Sequence, residues 1–168
     1  ADLRRDQRQS LFNLVEACAS PYVKAQIIQG LGGGLASLDA SQPSSLVGTA
    51  LGLRNRPDDS SPWPSSPRAV AIGGLCGGFA HLNDADREAL VGAAVDAGLT
   101  SRHFALAGLC GAWPHLDDTQ RSKLLRAVDQ YYTSNRHLSR SIEPLLRLCD
   151  AVADMNEQNA AILRKAGV

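Results

Sequence analysis

The chain has 168 residues, with 17 Lys+Arg against 17 Asp+Glu, 44% hydrophobic residues and only 5% aromatic ones. That length suits one domain, and its apolar content permits a core, which excludes a disordered tail. The charge balance disfavours a globally basic nucleic-acid binder. The longest stretch free of Lys, Arg, Asp and Glu, 69–83, is shorter than a membrane span of roughly 20 residues, so no membrane insertion is expected.

The first predicted element is a fragment of something repeated later. Asp6 to Val15, DQRQSLFNLV, matches Thr119 to Val128, TQRSKLLRAV, so the chain is expected to begin inside a repeat unit. Three longer segments then align without gaps: GLGGGLASLDASQPSSLVGTAL from Gly30, GLCGGFAHLNDADREALVGAAV from Gly74 and GLCGAWPHLDDTQRSKLLRAVD from Gly108. A fourth, from Arg147, fits more loosely. The anchor leucines Leu31, Leu75, Leu109 and Leu148 are spaced by 44, 34 and 39 residues, a fixed core with variable spacers.

Each unit reads as two helices. The first (helix A) has start signals at Ser20-Pro21, Ser66-Pro67, Thr100 and Ser139, and is predicted to run to about Ala36, Ala80 and Pro114. The break follows at Asp39, Asn83, Asp117 and Asn156, good N-caps for the second helix (helix B). Gln42 and Gln120 lie three residues on, at capping-box spacing, and Pro43 falls in the first turn of its helix B. Helix B carries one apolar stripe, as in Leu90, Val91, Ala94 and Val95 or Leu124, Leu125 and Val128. Helix A in units two and three is apolar nearly all round and needs neighbours on several sides, which stacked copies of itself supply.

Glycines recur four apart in helix A, at Gly30/Gly34 and Gly74/Gly78, with Gly108/Ala112 in the third unit. Four apart is one helix face, which indicates close approach of neighbouring helices; a loose, frayed helix is the competing reading. Between units lie a Pro- and Ser-rich loop insertion, 54–67, holding Trp63 between two prolines, and a shorter insertion, 131–138. Such spacers are often the variable binding elements of a repeat array.

Little chemistry is predicted. His81 and His115 share a repeat position beside Asp84, Asp117 and Asp118, but neighbouring units sit about 8–10 Å apart, too far for shared metal ligands. A histidine there suits a helix C-terminus instead. Cys76, Cys110 and Cys149 are repeat-equivalent and read as small packing residues, with Cys18 apart from them. Four cysteines without a CxxC pair imply reduced thiols, and hence the cytoplasm or another reducing compartment. The GLGGG at 30–34 lacks the P-loop pattern and a preceding strand. No catalytic residues, metal or cofactor are expected. Residues 1–10 are strongly polar, so no signal peptide is expected. The absence of an initiator Met suggests a fragment or a processed form.

Charge shows more pattern than total. Lys24, Arg68 and Arg102 share one position in the first turn of helix A, with Arg140 one place off. A cation there opposes the helix dipole. Two readings stand: solvated pairing with Asp96 or Asp129 of the preceding helix B, or a ridge for an acidic peptide or phosphates. Arg8, Arg87 and Arg121 share a helix B position, where Asp84 and Asp118 pair with the latter two at i,i+3.

The helix–cap–helix units over residues 5–168 resemble the α-solenoids of HEAT, armadillo and tetratricopeptide proteins, although the tetratricopeptide Trp-Leu-Gly-Tyr-Ala pattern is absent. GLCGGFAHLNDADREALV and GLCGAWPHLDDTQRSKLL are also similar in style to repeats of type III secreted effectors of plant-associated proteobacteria. That resemblance implies a host-protein target, action in the host cell after secretion, and no cofactor.

The expectation is therefore an all-α, right-handed α-solenoid, a single domain 1–168. Its units are 5–19 (partial), 20–53, 66–98, 100–131 and 139–168, about four helix pairs behind an incomplete one. The expected role is a scaffold binding a partner protein on a stacked-helix surface. The expected contacts are Lys24, Arg68, Arg102, Arg140 and Trp63, Trp63 being equally well read as docked over the seam between units. Phosphate or RNA binding by the ladder, an enzyme site at the repeat ends, and a structural slice of a longer repeat protein are the alternatives.

Overall fold

The computed structural model describes residues 5–55, 65–96, 98, 101–134 and 144. Among them the fold is all-α, with no strand. The order is α1 (Arg5–Ala17), α2 (Pro21–Gly32), α3 (Gln42–Gly52), α4 (Pro67–Leu75), α5 (Asp84–Val95), α6 (Arg102–Gly111) and α7 (Asp118–Ser134). Short 3-10 turns at Leu35–Ser37, Cys76–His81 and Trp113–His115 follow α2, α4 and α6. The unit predicted at 139–168, with Cys149, Asn156 and Arg140, lies outside the described residues except for position 144. So does Trp63.

Helix starts follow the predicted chemistry where a cap can form. Ser20 and Ser66 accept from the N–H of Val23 and Ala69, each with Pro at the first helical position. Asn83 accepts from Asp86 N–H at 2.8 Å. Asp117 and Gln120 make a reciprocal capping box at 2.8 and 3.2 Å. In unit one only half the box forms, Gln42 Oε1 accepting from Asp39 N–H at 2.9 Å, and α3 starts two residues later than α5 does. Pro43 explains the delay. It has no N–H to return to the Asp39 carbonyl four residues back, so Gln42 N–H makes a tighter i→i−3 bond to that carbonyl instead.

Two predicted boundaries shift. Helix A is not one continuous α-helix; it tightens into a 3-10 turn where the glycines and Pro114 weaken α geometry, and Gly78 leaves helical angles altogether at φ −112°, ψ 20°. The insertion expected from 131 does not begin there, because α7 runs on through Ser134. Tyr132 lies four residues after Val128, extends the buried stripe of α7 and is 9% exposed.

Helices α2, α4 and α6 pack in sequence, α2 on α4 and α4 on α6, and these are the most intimate contacts of the fold. Helices α3, α5 and α7 form a second row in the same manner. Helices α3 and α5 also lie on the next first-row helix, α4 and α6 respectively, and α1 lies on α2 in that same relation. One continuous apolar cluster therefore runs from Val15 to Tyr132, built from the predicted stripes (Leu90, Val91, Ala94; Leu124, Leu125, Val128), their equivalents Leu46, Val47 and Ala50 in α3, and the all-round apolar α4 and α6.

Candidate functional site

Glycine sets how closely the first row approaches. A Cβ on Gly74 would fall on the Cα of Gln29, and one on Gly108 would fall on the backbone of Gly73. Gln29 and Gly73 are themselves repeat-equivalent, each directly before its unit's anchor glycine, so both joints of the row use one contact. A Cβ on Gly32 would fall on the Gly74 carbonyl, and one on Gly78, in the turn after α4, would fall on the carbonyl oxygen of Gly32. The close-approach reading holds at Gly74, Gly78 and Gly108. It fails at Gly30, where an added Cβ meets nothing within 4 Å.

Across the solvent side of this row lies an apolar groove of about 180 Å³, lined by Tyr22, Gln26 and Gln29 of α2, Val70 of α4 and Phe104 of α6. Gln26, Val70 and Phe104 occupy one repeat position, four residues before the anchor glycines. Phe104 is 36% exposed, unusual for so large an apolar side chain, and its ring lies 4.3 Å from that of His103. Burial holds the His103 imidazole below its ordinary pKa, favouring the neutral form. Sequence reasoning missed this groove. Comparing position 26/70/104 across the units would have shown a Gln, a Val and a Phe on a shared face.

The cation ladder is not an even ridge. Lys24 and Arg68 are half-buried, and Arg102 is buried at 6% exposure. The Arg102 guanidinium turns to the end of α5, where it donates to the carbonyl of Val95, and at 3.4 Å to Gln130 Oε1 of α7. Cations at a helix C-terminus satisfy orphan carbonyls and suit the dipole. The pairing expected with Asp96 is only through space, and the Arg140 expected to pair with Asp129 lies outside the described residues. Burial, partly offset by Asp96, holds the Arg102 pKa below its ordinary value. The Nε of Arg68 and that of Arg102 are both buried without a hydrogen-bond partner.

The second arginine series does more than pair within its helix. Arg87 donates to the carbonyls of Phe79 and Ala80 at 3.2 and 2.8 Å and stands 5.7 Å over the Phe79 ring. Arg121 repeats this on Trp113, with bonds of 3.4 and 3.5 Å to its carbonyl and 5.4 Å to the ring. The expected ion pairs to Asp84 and Asp118 exist at 3.7 and 3.3 Å, but both carboxylates are fully exposed. The two arginines latch the turns that follow α4 and α6 to α5 and α7 respectively.

Burial, and secondarily the nearby Cys110, pushes the Cys76 thiol up to about 12, so it stays protonated at neutral pH. His81 and His115 are exposed, and no cluster of His, Cys, Asp and Glu among the described residues could hold a metal ion. No helix among them is long and apolar enough to cross a membrane. A scan against protein-family models, a search of the curated proteins and a search of the solved structures each found no match.

Proposed function

We propose that this chain is a protein–protein interaction scaffold: a right-handed α-solenoid of about four helix pairs behind a partial one, with a partner protein lying across the first-row helices. The stacking half of this reading rests on the repeated joint, Gly74 on Gln29 and then Gly108 on Gly73, since one contact used twice in the same direction generates an array. The binding half is carried by the groove over α2, α4 and α6. It is concave, apolar and rimmed by the amides of Gln26 and Gln29, the composition of a surface that receives a partner's apolar side chain. Phe104 is the contact residue we place at its centre. Lys24 and Arg68 precede two of the groove positions by two residues and remain contact candidates, as do Trp63 and Arg140 on sequence grounds alone. Buried Arg102 serves the α5 terminus first. By the effector resemblance, the partner would be a host protein.

The test is a photo-crosslinking residue placed at Phe104, and separately on the outer face of α5, followed by Phe104→Ala. The scaffold reading expects partner adducts from position 104, and binding weakened at least about tenfold by Phe104→Ala with an unchanged melting temperature. Adducts from α5 alone, or a partner that ignores Phe104→Ala, would overturn it.

A further inference from the structure

A second depression, separate from the groove, opens between α5, α6 and α7. Its volume is about 330 Å³, at the low end for small-molecule sites, and Arg102, Lys123, Arg126 and Gln130 line it over Val95 and Ala127. Three cations thus face one crevice, and only Arg102 belongs to the repeated ladder. Arg102 is 6% exposed, yet among the described residues it bonds no carboxylate: of its five N–H donors, one reaches the Val95 carbonyl and one Gln130 Oε1, while Nε has no acceptor. Lys123 is paired with Glu88 of α5. Arg126 is exposed and makes no ion pair among the described residues. Among the described residues, Glu88 and, through space, Asp96 stand against these three positive charges.

A buried guanidinium is ordinarily compensated by an acid and by a full set of acceptors. Among the described residues this one has only Asp96, through space, and an incomplete set of acceptors, and its neighbours add positive charge. The ligand that supplies what is missing is a multi-oxygen anion. A phosphoryl group offers several acceptor oxygens and between one and two negative charges at neutral pH, and arginine's planar fork matches it. We propose that this crevice is a binding site for a phosphoryl group, with Arg102 as the buried fork and Lys123 and Arg126 as the outer clamp. The assignment is independent of the groove, and its probe needs no partner protein.

The test is a titration of the full chain with inorganic phosphate at constant ionic strength, read on the Arg102 side-chain N–H resonances. A phosphoserine peptide and its unphosphorylated form run beside it. Saturable millimolar or tighter binding is expected, weakened about tenfold by Arg126→Ala and at least as much by Lys123→Ala. Arg102→Lys keeps the charge and loses the fork, so it should also weaken binding. Preference for the phosphopeptide over inorganic phosphate assigns the group to a protein, and the reverse to a free anion. No saturable shift, a shift that chloride reproduces, or affinity unchanged in Arg126→Ala would overturn the proposal.

Discussion

A single hydrogen atom at the Cα of Gly74 decides how close α2 and α4 can lie. Its added Cβ would strike main chain, which cannot swing aside as a side chain would. Gly30, its repeat-equivalent, meets open space in a helix, where glycine only adds flexibility to the unfolded chain. The two substitutions should therefore differ in sign. Gly30→Ala is expected to stabilise by about 0.5–1 kcal/mol. Gly74→Ala should destabilise by about 1–3 kcal/mol, because overpacking outweighs the same propensity gain. Urea unfolding of the two variants checks this, and a Gly74→Ala protein as stable as its parent would contradict the close joint. The pattern of spaced glycines was legible in the sequence. Which of them touch a neighbour was not, because the answer depends on what stands opposite.

At the scale of the element, capping explains more of these helices than propensity does. Asn83 and Asp117 close their helices with side-chain bonds, and Pro43 delays the start of α3 through a bond it cannot make. The arginine latches belong to the same account. Arg87 satisfies carbonyls where the 3-10 turn ends, so Arg87→Ala should cost about 1–2 kcal/mol. Its exposed salt-bridge partner contributes little, and Asp84→Asn should leave the melting temperature nearly unchanged. Equal losses from both substitutions, measured by thermal denaturation, would show that the ion pair and not the carbonyl capping holds Arg87. The i,i+3 spacing made the ion pair visible in the sequence. The cap was hidden because its acceptors are backbone carbonyls, which carry no sequence signal.

In the whole molecule, α4 lies between α2 and α6 and under α3 and α5, whereas α1 touches chiefly α2. Local opening free energy follows such enclosure. Amide exchange should accordingly be slowest in α4, at Ile72 and Leu75, and faster in α1 by orders of magnitude. Uniform protection across both helices would mean that the rows unfold as one unit and that α4 is no special centre.

The sequence by itself determined that the chain pairs helices, the caps at Ser20, Ser66, Asn83 and Asp117, the apolar stripes and the repeat positions, because these follow from spacing along one chain: a period near 3.6, a cap residue and its partner three places on. Tertiary structure alone decided which glycines are joints, that Arg102 is buried at the end of α5, and that Gln26, Val70 and Phe104 share an apolar groove. Each of these depends on the distance between segments far apart in the chain. Equivalent residues acquire different surroundings when the units that flank them differ.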